Sequence, residues 1–267
     1  MNLEQLSVID LSLAALLVAA LGLVQLIMGL GLLRSLLMGS VRMTLQLLLV
    51  GLVLKSLFEA ANLGWVSLMA LIMLALAGYE VTARQKRPIK GWHGYTIGLL
   101  SMGVTAATIT LFALIIIIEP HPWYTPQYAI PLLGMILGNT MTGIGLALNH
   151  LTQTAWSARV KIEARLLLGQ TAGEATAELR ADALRAGLIP TLNMLAAAGL
   201  ISLPGMMTGQ ILAGAAPMDA VRYQILIMFL ITAANGFGSL LAVHLGTRRL
   251  FDERARLRLD RLTARKA

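Results

Sequence analysis

The sequence predicts an all-α polytopic membrane protein with about seven transmembrane helices, and two observations indicate this fold class. Hydrophobic residues make up 57% of the 267 residues and charged residues only 13%, which is about half the charged share of a typical soluble domain. Uncharged apolar stretches recur along the chain, and their lengths approach the roughly 20 residues that a helix needs to cross a bilayer. The chain therefore reads as one transmembrane domain, 1–267.

Seven spans can be placed in order between charged or helix-breaking residues. They are 11–33, the stretch between Arg42 and Glu59, about 60–79, 92–118, roughly 129–150, 188 to about 203, and 223–247. Pro204 and Gly205 interrupt the sixth, so we expect its helix to break within 203–209 and to resume only briefly. The tail, 248–267, is a candidate basic amphipathic helix.

The basic residues choose the orientation. Seven spans place the two chain ends on opposite sides of the membrane, and lysine and arginine concentrate on the cytoplasmic side. With the N-terminus outside, nineteen of the 21 lysines and arginines are cytoplasmic, and only Lys55 and Arg222 are not. We therefore predict a multi-pass protein of the cell (inner) membrane, with the segment 151–187 and the basic tail 248–267 in the cytoplasm.

The longest polar interruption of the apolar chain is the segment 151–187, which carries nine charges and no proline. Gly169 favours a left-handed helix end, so a first helix should stop near Leu168. Thr171 and Glu174 form the T-x-x-E pattern of a capping box, which starts a second helix. Two short cytoplasmic helices joined by a tight turn would form a docking surface, although a solvated connector gives the same pattern.

Polar groups inside the spans are mostly amides, which either hold helices together or line a path. The break at Pro204 fits a lining element of a translocation path, and it equally fits a packing kink, since broken backbone is tolerated only where protein or water satisfies it. Fourteen methionines and four histidines without i, i+4 spacing leave any metal site unassigned. The seven amide residues predicted to lie inside the spans are Gln46, Asn139, Asn149, Asn193, Gln210, Gln224 and Asn235.

The energy source is left open by the residues themselves. The chain has no G-x-x-x-x-G-K-[ST] loop, so ATP would have to act through a separate subunit. An ATP-independent cation carrier or channel is the alternative, although no acidic pair lies deep in a span, as a proton-coupled carrier would need. With neither a nucleophile–base pair nor a metal-ligand cluster, we expect no enzyme activity.

Four segments together resemble one family. They read RSLLMGSVRMTLQLLLVG (34–51), MILGNTMTGIGLAL (135–148), EARLLLGQTAGEA (163–175) and SLPGMMTGQILAGAAPMDAVRYQILIMFLI (202–231). The chain resembles the FetB-type family of ABC transporter permeases, assigned to iron export, with plant relatives tied to aluminium tolerance. The resemblance implies a permease that pairs with a separate P-loop ATP-binding subunit, as two copies of each. ATP and Mg would bind that partner, with no cofactor on this chain and no nucleic acid.

The run from Glu163 to Gly169 also looks like the E-A-A-x-x-x-G loop of bacterial importer permeases, whose coupling helix enters a groove on the ATPase. Here Arg165 replaces the second alanine. The residues expected to couple to an ATPase are Glu163, Ala164, Arg165, Gly169, Thr171 and Glu174. Those expected along the translocation path are Gln46, Met135, Asn139, Asn193, Pro204, Gly205, Met206, Met207, Thr208 and Gln210.

Overall fold

The structure, a computed structural model, describes residues 7–60 and 62–264. The first six residues and the last three of the predicted basic tail lie outside the described part. Within it the chain forms ten α-helices and no β-strand. The helices are α1 (Val8–Ile27), α2 (Leu33–Ala60), α3 (Leu63–Ala83), α4 (Trp92–Phe112), α5 (Pro126–Ser157), α6 (Arg159–Leu167), α7 (Ala172–Ala175), α8 (Ala177–Ala197), α9 (Gly205–Leu212) and α10 (Pro217–Leu250).

Six of the described helices are long and apolar enough to cross a membrane, which confirms a polytopic all-α membrane protein. They are α1, α2, α3, α4 with its π-helical extension Ala113–Ile118, α5 and α10. The predicted sixth span, 188–203, is not among them. That stretch is divided between the second half of α8 and a non-helical segment, 198–204, which leads into α9.

The predicted break in this sixth region is present, but it begins earlier than predicted: it covers 198–204 and overlaps the predicted range, 203–209, only at 203–204. Gly199 adopts φ +87°, a left-handed conformation that ends α8. Pro204 is the N-cap of α9 with ψ 140°, and its ring disfavours helix at the residue before it. Pro204 and Gly205 thus start a helix rather than interrupt one.

Other predicted boundaries are also corrected. Gly29 and Gly31 both have positive φ, so α1 ends at Ile27 and α2 begins at Leu33 instead of beyond Arg42. Helix α5 continues to Ser157, so the segment between the long helices is 158–176, shorter than 151–187.

Within the described residues 251–264 the tail forms no amphipathic α-helix. Helix α10 ends at Leu250, and the chain then folds back, with Arg261 donating through Nη1 to the carbonyls of Arg249 at 2.8 Å and Phe251 at 3.0 Å. These bonds satisfy carbonyls that a helix end leaves without intrahelical partners, which explains why the tail turns instead of continuing.

The basic segments gather at one end of the helix bundle. The amide of Lys86, after α3, donates to Asn149 of α5 at 2.9 Å, and the amide of Thr263 in the tail donates to Pro88 at 3.0 Å. Arg42 near the start of α2 pairs with Glu80 near the end of α3 at 2.6 Å. We call this the basic end; it matches the grouping that the charge count predicts for the cytoplasmic side.

Helices α3, α4, α5, α8 and α10 form the packed bundle, with α5 in contact with each of the other four. By contrast, α2 buries only Leu57 among its described side chains. The apolar surfaces of α1 and α2 are thus available to lipid or to another chain.

We predict that the basic end faces the cytoplasm. The chain has no cysteine, so single substitutions can be labelled cleanly. Leu168→Cys at the basic end should react with an impermeant maleimide only in inverted vesicles, and Gln127→Cys at the opposite end only in intact cells. The reverse pattern would overturn the orientation.

Candidate functional site

The segment 158–176 protrudes from the basic end between α5 and α8, and its local geometry follows from its sequence. Helix α6 ends at Leu167, and Gly169 adopts φ +88°, as predicted. Thr171 and Glu174 then form a capping box: the Thr171 amide donates to Glu174 at 2.8 Å, and the Glu174 amide donates to Thr171 Oγ1 at 3.3 Å. The second helix, however, is a single turn, α7, and α8 follows almost at once.

The inner face of this segment is fixed to the bundle. Ile162 of α6 and Ala175 of α7 are buried. Glu178 in the first turn of α8 accepts from Lys161 at 2.7 Å and from Arg165 at 2.8 Å. Apolar burial and two ion pairs therefore hold α6 against the start of α8.

The ion pairs persist at any physiological pH. Hydrogen bonds from Lys161 and then Arg165 lower the pKa of Glu178 from 4.5 to about 2. Because the folded pKa is depressed, the contribution of these pairs to folding is complete above about pH 4.5 and is lost as the pH falls towards 2.

The outer face of α6 is exposed and largely apolar. Val160, Glu163, Ala164 and Leu167 recur at i, i+3, i+4 and i+7, which places them on one face of the helix, and all four are exposed. Leu167 is 89% exposed, and Leu168, at the turn, is 83% exposed. We call Val160, Glu163, Ala164, Leu167 and Leu168 the exposed tip.

The six predicted coupling residues thus divide into two groups. Glu163 and Ala164 belong to the exposed tip. Arg165 points inward to Glu178, and Gly169, Thr171 and Glu174 shape the turn. Leu167 and Leu168 were not predicted as coupling residues, although two leucines beside a polar turn outside any span indicate an exposed apolar contact surface.

Six of the predicted path residues lie together on α9 and its N-cap: Pro204, Gly205, Met206, Met207, Thr208 and Gln210. Helix α9 packs against α10. Thr208 back-bonds to the Pro204 carbonyl at 3.3 Å, and Gln210 Oε1 is buried without a hydrogen-bond partner in the described residues.

The remaining four predicted path residues are spread over three helices. Asn139 of α5 donates to the carbonyl of Met135, one turn earlier, at 2.8 Å, so its amide serves its own helix. Gln46 of α2 and Asn193 of α8 are exposed. The cavity that borders α9, lined by Pro204 and Met207 among others, includes none of these four residues.

A buried polar junction lies at the centre of the bundle, where α5, α8 and α10 meet. Asn235 of α10 is 0% exposed and donates through Nδ2 to Thr191 Oγ1 at 2.5 Å and to the Gly187 carbonyl at 3.1 Å. Ser239 donates to Asn235 Oδ1 at 3.3 Å. The side chain fits because Gly143 of α5 offers no Cβ at the position the amide occupies. Asn235 therefore holds helices together, one of the two roles open to an amide.

Sequence reasoning did not single out Gly143, Gly187 or Thr191, since nothing local marks them. Gly187 is equally confined: a Cβ there would lie 2.9 Å from the Gly143 carbonyl oxygen and 2.9 Å from the Ala147 Cβ. We call Gly143, Gly187, Thr191, Asn235 and Ser239 the polar junction.

We predict that Asn235→Ala lowers the free energy of unfolding by about 1–3 kcal/mol, because it leaves buried polar partners unpaired. Asn139→Ala is the matched control, because its amide bonds only its own helix, and its cost should stay below about 0.6 kcal/mol. Thermal and denaturant unfolding in detergent measures both. Equal costs would show that the junction adds nothing.

The described residues hold no group of three or more His, Cys, Asp or Glu side chains that could bind a metal ion.

The fold and the apolar helices define a multi-pass helical membrane protein with a protruding segment at its basic end. The chain belongs to the uncharacterised protein family UPF0014, whose sequence profile matches residues 8–251. This match, together with the FetB relative described next, confirms the predicted resemblance to the FetB-type family.

Three relatives show the breadth of the match. The UPF0014 membrane protein slr1647 of Synechocystis is 42% identical over 229 residues, 86% of this chain and 88% of the relative. The probable iron export permease protein FetB of Escherichia coli is 34% identical over 222 residues, 83% of each. Protein ALUMINUM SENSITIVE 3 of Arabidopsis thaliana is 36% identical over 204 residues, 76% and 72%. No solved structure matches the chain significantly.

Proposed function

We propose that this chain is the permease subunit of an ATP-binding-cassette transporter that exports iron or a related metal cation. A separate P-loop subunit binds ATP and Mg and hydrolyses the ATP, and this chain is not itself an enzyme. The observation that carries the proposal is the exposed tip. The name of the Escherichia coli relative, a probable iron export permease, supports the cargo.

The exposed tip has the chemistry of a docking site. Leu167 and Leu168 lie almost fully exposed on a segment outside the six long apolar helices. Leucines held outward at an ordered turn fit burial against another protein, and the burial of each is worth about 1.5–3 kcal/mol. The polar Glu163 beside them fits the rim of such an interface.

The segment is attached so that a push on it reaches the membrane. A single residue, Ala158, separates α5 from α6, and a single residue, Thr176, separates α7 from α8. The pairs from Glu178 to Lys161 and Arg165 join α6 directly to α8. A displacement of the tip therefore acts on two helices that meet at the polar junction.

Exposed amides support a second copy of the chain. Gln46 on α2 and Asn193 on α8 are exposed, and polar side chains facing hydrocarbon are costly. A permease homodimer, surrounded by lipid, would cover these groups or turn them towards a water-filled path. Met135 and the α9 residues Met206 and Met207 could offer thioethers to a passing cation, although methionine is commonly a packing residue.

The Gly169 turn is the first test. Its positive φ costs other residues about 1–2 kcal/mol, so Gly169→Val should deform the turn and uncouple ATP hydrolysis from cation flux while the spans stay inserted. Gly173→Ala is the control, because a Cβ there meets nothing closer than 3.8 Å. Flux and ATPase stimulation are measured in vesicles with the partner ATPase. Wild-type values for Gly169→Val would favour an ATP-independent carrier.

The exposed tip is the second test. Leu167→Asp with Leu168→Asp should weaken binding of the ATPase subunit at least tenfold, because charged side chains would replace the apolar anchors. Leu167→Met with Leu168→Met keeps the apolar surface and should bind normally. Copurification of the two subunits measures both variants. Unchanged copurification of the aspartate variant would place the docking site elsewhere.

A further inference from the structure

A cavity of about 390 Å³ opens at the basic end between the start of α4, the end of α10 and the folded-back tail. It lies outside the exposed tip and the polar junction. Its walls differ along the helix axes. Deeper in the bundle they are apolar, and nearer the helix ends they carry basic and polar groups. The apolar wall is Ile97, Leu100 and Leu245, and the polar wall includes His93, Thr96, Arg248, Arg249 and Arg261.

Two of the arginines at this mouth have no ion-pair partner in the described part of the chain. Neither Arg248 nor Arg249 has a carboxylate within ion-pair distance among residues 7–60 and 62–264. Arg249 Nε is buried without a hydrogen-bond partner in the same described part. Two guanidinium groups without an ion-pair partner beside one cavity favour an anionic occupant, because charge-assisted hydrogen bonds from arginine to a phosphate are strong.

Two acidic residues also line the cavity, and their positions decide the net charge. Asp252 is already engaged, since it accepts from the amides of Arg254 and Arg256 and from the Arg256 side chain. These bonds lower the pKa of Asp252, the Arg256 amide being the largest cause. Glu253 is exposed. The third arginine, Arg261, is held by two backbone carbonyls, so its charge stays at the mouth.

We propose that this cavity binds one anionic phospholipid of the leaflet at the basic end. The phosphate lies between Arg248, Arg249 and His93, and an acyl chain follows Leu100 and Leu245 into the bilayer. Basic pockets between transmembrane helices at the cytoplasmic surface suit anionic headgroups, and the apolar wall commits the site to a lipid rather than to a soluble phosphate.

Lipid binding at this cavity would also affect the neighbouring segments of the basic end. The tail that closes it is bonded to the loop after α3 through Thr263 and Pro88 and through Lys90 and Arg261. A lipid bound there would join α4, α10 and this tail, and so stabilise the basic end.

The test is native mass spectrometry of the full-length chain in detergent, with phosphatidylglycerol or phosphatidylcholine added. We expect one tightly retained phosphatidylglycerol and no retained phosphatidylcholine. Arg248→Gln with Arg249→Gln should weaken this binding roughly thirtyfold, since each basic residue near a membrane surface contributes about fivefold, or about 1 kcal/mol. Equal retention of both lipids would overturn the proposal.

Three further arms keep the result interpretable. Lys86→Gln with Lys90→Gln removes the same charge at the same end but outside the cavity, and it should leave binding within about twofold. Arg248→Lys with Arg249→Lys should fold and retain most binding if the glutamine variant does not fold. Soluble glycerophosphoglycerol should not displace the lipid. Equal loss in the Lys86/Lys90 variant, or displacement by the soluble headgroup, would refute a specific lipid site.

Discussion

The bundle depends on the fit of the Asn235 side chain, which packs against Gly143 of α5 and donates to the Gly187 carbonyl of α8. A buried amide in a membrane must find its partners inside the protein, and here they come from α8, through Thr191 and the Gly187 carbonyl. Those partners are within reach only because two glycines let α5, α8 and α10 approach closely. One hydrogen-bonding requirement thereby fixes the register of three helices at once.

This constraint divides the molecule into a coherent part and a loosely attached part. Helices α5, α8 and α10 are joined by packing and by polar bonds at mid-length, so a displacement at one end of α8 is resisted by both neighbours. Helix α2 is tied near its start by Arg42 and Glu80 and near its end by Leu57. Rearrangement is therefore easier between α1–α2 and the bundle than within the bundle.

Structure that depends on neighbouring residues could be predicted from the sequence, whereas structure that depends on contacts between distant residues could not. The turn at Gly169 and the Thr171–Glu174 cap were predicted because each depends on neighbouring residues alone. Span boundaries failed where a charge inside a helix is neutralised from a distant helix, as Glu80 does for Arg42. The tail was misread because Arg261 satisfies carbonyls ten and twelve residues earlier. No composition or periodicity encodes that bond.

The positions of the exposed tip and of α9 define how the two could communicate. Thr191, the α8 partner of Asn235, lies 20 residues after the capping residue Thr171, and α8 ends only six residues later. Helix α9 does not continue α8 but packs on α10, so a motion of α8 reaches it by two routes. One is the non-helical turn at Gly199, and the other is the hydrogen-bonded connection through Asn235 to α10. The packed and hydrogen-bonded connection resists deformation more than a single non-helical turn does, so under the proposed function α10 is the stronger mechanical link between the exposed tip and α9.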